Sequence, residues 1–406
     1  MSRSDSRLPT PDPRPLRIWL INPYGPVPGE GWRDYRFTLV ARALAARGHD
    51  VTWFTAAFAH QSKEQRERGW ERREIAPRFA IELVPTPRYR RNISPGRLWF
   101  EYIFARRVRA RGKTLPAPDV IVAADPPQFC GAAGRALARH HCAVLVIDCL
   151  DLWPELFVAA APRALRWLVD AAVLPLRVLR RRNVRAASLA IAVADTYRLV
   201  IERDGARRSI TIPIGVDVDA LASPAVTRAD DDALSLIYAG NLGEQYDLDT
   251  LLEAVDGMPH VKLTIAGRGP AEERLRKRAA TMSNVTFAGV VDAAELPRLY
   301  AAADVGVAPY SAGSTVALPL KLFDYIAAGL PVITSLRGEA WQLLESIGDG
   351  IGYTPGNAAS LRDAIRALEY PPRRCRMAMA ARAAAERFDT KALYEHYADE
   401  IEALAR

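Results

Sequence analysis

Four cysteines in 406 residues, Cys130, Cys142, Cys149 and Cys375, show no CxxC spacing. That excludes the usual zinc ribbons and disulfide frameworks, and the four read as reduced cytoplasmic thiols. The chain has no uncharged apolar run approaching the roughly 18 residues that a membrane-crossing helix needs. Its first 15 residues, MSRSDSRLPTPDPRP, lack the apolar segment of a secretory signal and read as a disordered polar arm. No low-complexity segment occurs. Despite a net charge of +8, no aromatic stacking platform or base-reading motif accompanies the basic residues, so nucleic acid is not an expected partner.

What is present fits a globular enzyme of about two domains, with 50% apolar and 25% charged residues. The charge is unevenly spread. Up to Gly215, 36 Lys and Arg oppose 20 Asp and Glu, a balance of +16; beyond it 19 oppose 27, a balance of −8. A basic first half suits a pyrophosphate-bearing substrate or an anionic membrane face, and equally a solvated arginine-rich surface.

Short apolar runs alternate with amphipathic stretches throughout. LRIWLI (Leu16 to Ile21), HDVTWFT (His49 to Thr55), DVIVAA, AVLVID and SLAIAV read as strands, and RFTLVARALAARG (Arg36 to Gly48) as a helix ending on glycine. A second series follows IPIGVD (Ile212 to Asp217) and the polar stretch SPAVTRADDD (Ser223 to Asp232). It runs through LSLIYAG, VKLTIAG, NVTFAG, DVGVAPY and LPLKLFDYIAAGLPVI. Strands alternating with helices imply parallel sheets covered on both faces. The expected fold is α/β, two doubly wound parallel-sheet domains facing a cleft. The arm is residues 1–15, the domains are 16–213 and 214–386, and a last helical segment, 387–406, packs back towards the first domain. Ligands of such sheets sit at the carboxyl ends of the strands.

Three stretches of the second series carry chemistry. In YAGNLGEQYD a strand ends in Gly240-Asn241-Leu242-Gly243 before a helix, and IAGRGP repeats that geometry with Arg268 and Gly269. Small residues there let backbone N–H groups approach an anion. In LPLKLFDY, Pro319 suits a helix start, and Lys321 and Asp324 lie one turn apart on one face. They could form a surface ion pair. Alternatively, Lys321 meets a pyrophosphate while Asp324 accepts hydrogen bonds from the two hydroxyls of a ribose.

Taken together, RGHDVT, DLWPE (Asp151 to Glu155), IPIGVD, YAGNLG, AGRGP, ELPRLYAAADVGVAPY and LPLKLFDYIAAGLPVI resemble glycosyltransferase family 4 along almost the whole chain. These are retaining nucleotide-sugar transferases of the GT-B fold, two Rossmann-like domains. DLWPE and PxKLFDY are similar to a bacterial subgroup that builds O-antigen and capsule glycans. The resemblance implies a donor site with Asp324 on the ribose, Lys321 and Arg268 on the diphosphate, and Gly240, Asn241, Gly243, Gly269, Ser314, Thr315, Leu318 and Gly31 around the nucleotide-sugar. It implies no cofactor: the donor is a substrate, UDP-sugar by default, carrying a hexosyl or N-acetylhexosaminyl group; no DxD-like acidic pair stands in a convincing place, so no metal is expected. The acceptor is a glycan or polyprenyl-diphosphate-linked hydroxyl bound by the first domain.

The family's Glu-x7-Glu pair is incomplete here, because the first acid position holds Val316. That departure leaves open a non-catalytic nucleotide-sugar-binding partner of a glycan assembly complex; a 2-epimerase shares the fold but needs an acid–base set that the sequence does not offer. In the first domain, Asp151 and Glu155 follow a strand at its carboxyl end, where they orient an acceptor hydroxyl or cap a helix. Arg33 and Arg36 are placed to meet an acceptor phosphate. His49 and Asp195 read as structural, Asp195 as a helix cap. The stretch Ala161 to Arg185, with Trp167 among leucines and arginines, is compatible with peripheral contact at the inner face of the plasma membrane.

Overall fold

A computed structural model describes residues 14–221 and 233–405. Residues 1–13 of the arm and the whole stretch Ser223 to Asp232 lie outside the described residues. Eight strands form the first sheet: β1 (Arg17–Ile21), β2 (Asp50–Ala56), β3 (Glu71–Ala76), β4 (Phe79–Val84), β5 (Val120–Asp125), β6 (Val144–Cys149), β7 (Leu189–Ala192) and β8 (Ser209–Thr211). Their order is β3-β4-β2-β1-β5-β6-β7-β8. The second sheet holds β9 (Leu234–Ala239), β10 (Val261–Ala266), β11 (Val285–Gly289), β12 (Val305–Ala308), β13 (Val332–Thr334) and β14 (Gly350–Gly352), in the order β11-β10-β9-β12-β13-β14.

The central strands are apolar on both faces because helices cover both. Along β1, Trp19 and Ile21 enter one core layer while Ile18 and Leu20 enter the other. The exception to parallel pairing is β3, antiparallel to β4. A two-residue connection, Pro77-Arg78, can join only antiparallel neighbours, and Arg78 takes φ 63° to make the turn. The charged ERRE of β3 is an edge-strand sequence without the apolar run of a buried parallel strand.

The chain crosses between the sheets after β8 and returns near residue 388. The two crossings are tied: Val216 N–H donates to Phe388 O and Thr390 N–H to Val216 O, each at 2.9 Å. The last helix, Thr390–Ala405, lies on the first domain, with Tyr394, Tyr397, Ala398 and Ile401 in the same core layer as Leu20, Phe37 and Val40.

Arg36, at the start of the helix Arg36–Ala46, is fully buried against this helix. Its Nε and Nη2 donate to the Asp148 carboxylate at 2.8–3.0 Å, and its Nη1 to Ile212 O at 2.8 Å. Tyr397 donates to the same carboxylate, and the Tyr394 and Tyr397 rings lie 6.0 and 5.3 Å from the guanidinium. Arg36 is therefore not available to an acceptor phosphate, contrary to the expectation from its sequence position. Removing one partner of a buried pair strands the other charge, so Arg36→Met should destabilise the protein by about 3–5 kcal/mol. Denaturant unfolding of the variant checks this.

Asp349, just before β14, is the opposite case. It is fully buried, and neither carboxylate oxygen has a hydrogen-bond partner. Burial pushes its carboxyl up to about 9. The unfolded carboxyl keeps its ordinary value near 4, so between those values the folded chain holds an extra proton and stability falls as pH rises. Asp349→Asn should stabilise the protein by about 2–4 kcal/mol at pH 7 and remove that dependence, as read from unfolding midpoints between about pH 5 and 8.5.

Candidate active site

Asp324 lies on the helix Leu320–Ala328, which begins after Pro319 and is closed by Gly329 at φ 69°. Leu322, Phe323, Tyr325 and Ile326 bury the helix in the second domain, while the Asp324 carboxylate meets the first. Arg33 Nη1 lies 2.8 Å from Asp324 Oδ1, and the Tyr300 hydroxyl donates to Oδ2 at 3.4 Å. Arg33 follows the glycine-rich loop after β1. In this structure its guanidinium is engaged by the carboxylate expected to hold a ribose, and is not free for an acceptor phosphate. A cavity of about 560 Å³ opens beside the pair, lined among others by Gly31, Asp217, Arg268 and Asp324. The tertiary structure thus brings Gly31, Arg268 and Asp324 together from three distant stretches. It adds Asp217, of the IPIGVD stretch, which had no role assigned.

The two glycine loops interlock. Leu242 N–H donates to Arg268 O at 3.0 Å, and Gly240 N–H to Ala266 O at 2.9 Å. Gly267 sits at φ 131°, and a Cβ there would lie 1.9 Å from Gly240 O, so no other residue fits. A Cβ on Gly269 would likewise strike Asn241 Oδ1 and Leu242 O, both at 2.4 Å. Gly240, Asn241, Gly243 and Gly269 form one packed turn with Asn241 and Arg268 exposed upon it.

Lys321 is directed at this turn from below. Its side chain is buried, and Nζ has no hydrogen-bond partner. A Cβ on Gly240 would lie 3.2 Å from Nζ. The rings of Tyr238, Tyr246 and Tyr310 surround the amine at 4.0, 4.0 and 5.4 Å. Burial holds its pKa well below the ordinary lysine range, against the opposing pull of Asp324. Lys321 and Asp324 share a helix face but are not an ion pair: the nearest cation to the carboxylate is Arg33.

Ser314, Thr315 and Leu318 belong to the segment that leads into the helix. Ser314 N–H donates to Ser311 O, and Thr315 is exposed. Ala317 enters a core layer of the first domain, where its N–H faces the Tyr197 hydroxyl at 3.5 Å. Leu318 packs against cores of both domains. A second bridge lies at Glu339, which accepts from the N–H groups of Asp195 and Thr196, both at 2.7 Å. The expected capping by Asp195 is thus corrected: Glu339 of the other domain caps the helix Asp195–Arg203, and the Asp195 carboxylate binds Arg198 and Thr211.

The DLWPE carboxylates separate. Asp151 accepts from Leu152 N–H at 2.7 Å, and burial raises its carboxyl above the usual range. Glu155 accepts from Arg180 at 2.7 and 2.9 Å and from Arg177 at 3.2 Å. Burial works against ionisation there, but the Arg180 hydrogen bonds hold its carboxyl low. Arg180 is itself buried and needs both Glu155 and Asp204, which takes Glu155 out of the acceptor set. Neither acid lines the cavity at Asp324. His49 is buried away from it, between Leu16 N–H and Glu402. Among the described residues, no group of three or more His, Cys, Asp or Glu side chains is placed to hold a metal ion.

Residues 36–220 match the family described as Glycosyltransferase Family 4, and residues 233–369 the one described as Glycosyl transferases group 1. The chain thus carries a family 4 glycosyltransferase domain followed by a group 1 glycosyl transferase domain. Its two-domain α/β fold is GT-B. Among curated members, the phosphatidyl-myo-inositol mannosyltransferase of Mycobacterium tuberculosis is 30% identical over 212 residues, 49% of this chain and 55% of that protein. The sulfoquinovosyl transferase of Arabidopsis thaliana is 28% identical over 162 residues, 39% of this chain and 31% of that protein. The chain thus spans about half or less of the curated relatives it matches. Solved structures align along nearly its whole length. Sucrose-phosphate synthase from Thermosynechococcus elongatus does so with a TM-score of 0.74 at 19% identity, over 96% of this chain and 99% of that one. The Anabaena protein HepE in complex with UDP and glucose gives 0.64 at 17%, over 95% and 99%.

The Lys321 amine, without a hydrogen-bond partner and enclosed by rings, costs the ligand-free protein stability. Lys321→Met keeps the bulk and removes the amine, and should raise unfolding stability without ligand by about 1–3 kcal/mol. A lower midpoint would show instead that the ring contacts outweigh the desolvation.

Proposed function

We propose that the protein transfers a sugar, with retention of anomeric configuration, from a nucleotide-sugar to a hydroxyl of a glycan or lipid-linked acceptor in surface polysaccharide assembly. The observation that carries the reading is the buried Asp324 carboxylate, aimed across the cleft into a cavity shared with Arg268 and Gly31. A ribose diol supplies two donors to it and takes the place of Arg33. The diphosphate then lies towards the interlocked glycine turn, with Arg268 above and Lys321 beneath. Arrival of that charge gives Lys321 a counter-ion and draws it into the ammonium form. Charge that builds on the departing nucleoside diphosphate meets groups already in position, the largest expected catalytic term.

The first acid position of the Glu-x7-Glu pair holds Val316, and the sequence offers no obvious carboxylate nucleophile. The reading therefore follows the family's same-face route. The bond from the anomeric carbon to the phosphate oxygen breaks, the bond to the acceptor oxygen forms on that face, and the acceptor proton passes to the leaving phosphate. No step uses a cofactor or metal. Asp151 is the remaining acceptor-side carboxylate. UDP is the favoured carrier, in keeping with HepE, whose structure holds UDP and glucose; the mycobacterial relatives include GDP-mannose-dependent enzymes, so GDP is the competitor. The enzyme would act in the cytoplasm or at the inner membrane face.

The test is thermal unfolding of wild type and Asp324→Ala with UDP, GDP, dTDP and ADP. A nucleotide at about 100 times its Kd adds roughly 2.7 kcal/mol to wild-type stability. One nucleotide should stabilise wild type, and Asp324→Ala should lose that shift. A shift that survives in Asp324→Ala would remove the ribose contact from the reading, and no shift with any nucleotide would overturn the donor site.

A further inference from the structure

A second cavity, of about 500 Å³, opens on the first domain and shares no lining residue with the cleft at Asp324. It lies at the carboxyl end of β4, between the segment Pro85 to Arg88 and the start of the helix Pro95–Gly112. Arg68, Arg88 and Arg107 line it, with Trp99 as its apolar wall, and no carboxylate does. Arg107 is anchored by donating to Pro85 O at 2.7 Å. The Thr86 hydroxyl oxygen, also in the lining, is shielded from solvent and has no hydrogen-bond partner.

Elsewhere on this domain arginines find acids: Arg66 pairs with Glu30, Arg73 with Glu71, Arg97 with Glu101. Among the described residues, Arg68, Arg88 and Arg107 are in no ion pair, although they face one hollow. Three guanidiniums around a concavity repel one another and raise its potential, a cost that a bound anion removes. Their planar forks match phosphate oxygens. The surroundings say what carries the phosphate. Ile93 and Trp99 are 65% and 56% exposed, Leu98 and Tyr102 are also exposed, and the Trp99 and Tyr102 rings stack at 5.6 Å on the solvent side. Aromatic and aliphatic side chains presented beside a cationic site are the chemistry of a bilayer interface.

We infer that this cavity binds the phosphate group of a membrane lipid, with Ile93, Leu98, Trp99 and Tyr102 entering the interface around it. Among the described residues no helix is long and apolar enough to cross a membrane. The inference uses no residue of the donor site and does not depend on the donor reading.

The experiment is co-sedimentation of the full chain with phosphatidylcholine vesicles carrying either phosphatidic acid or phosphatidylserine at matched zeta potential. Phosphatidic acid presents a terminal phosphate; phosphatidylserine presents the same charge with its phosphate capped. The protein should prefer phosphatidic acid, and inorganic diphosphate should compete it off. Arg68→Gln/Arg88→Gln/Arg107→Gln should lose about tenfold or more of that binding, while keeping its thermal response to the nucleotide that stabilises wild type, or its wild-type melting curve if none does. Leu98→Ser/Trp99→Ser changes only exposed side chains and should weaken vesicle binding too, so the idea stays testable if the triple variant fails to fold. Equal binding to the two anionic vesicles would mean a merely basic surface and overturn the site. Diphosphate binding at the cavity together with no binding to either anionic vesicle would overturn the lipid. Unchanged binding by the triple variant, with loss in Arg163→Gln/Arg166→Gln, would move the contact to the helix Arg166–Ala186.

Discussion

The Arg36–Asp148 pair is the contact through which the two domains share a frame. It joins the first helix, the carboxyl half of β6, the crossover carbonyls of Ile212 and Pro213, and two tyrosines of the last helix. A fully buried guanidinium is tolerated only when its donors are met and its charge is matched. Those demands bring together segments about 360 residues apart, as the Tyr397 contact shows. The crossings at Val216 and Thr390 are paired beside it, so the outgoing and returning chain are tied together near the first domain.

With that frame set, the cleft is held by a few polar contacts: Arg33 on Asp324, Glu339 on the N-terminus of the helix Asp195–Arg203, and Tyr197 beside Ala317 N–H. Each has an end in both domains. The Arg33 end is exposed and the Asp324 end buried, so the pair can open by motion of the arginine alone. A ligand that satisfies Asp324 better than Arg33 does would exchange one set of hydrogen bonds for another, without leaving the carboxylate bare.

Lys321 and Asp349 are both buried without a hydrogen-bond partner, and they differ in kind. Lys321 faces a glycine turn at the cleft, where an arriving anion could complete it. Asp349 lies just before β14, buried, with no partner for either carboxylate oxygen. The first is the sort of unmet demand that a ligand site leaves in an empty protein; the second is a plain loss of stability for which the surroundings offer no compensation.

The alternation of apolar runs and amphipathic stretches was enough to determine two doubly wound sheets and most of their strands, because apolar periodicity is a local property of the chain. β3 escapes it, since a charged edge strand carries no apolar run. Asp324, Arg268 and the glycine turns could be picked out because a helix start and a strand-to-helix turn are written in adjacent residues. What lies opposite each of them could not. Arg33 and Arg36 stand three residues apart in one stretch, yet one reaches the cleft and the other is sealed in the core. Asp151 and Glu155 part in the same way, because Arg180 claims one of them. A charge acquires its role from the partner that tertiary packing sets within about 3 Å of it, and that partner stands anywhere in the sequence.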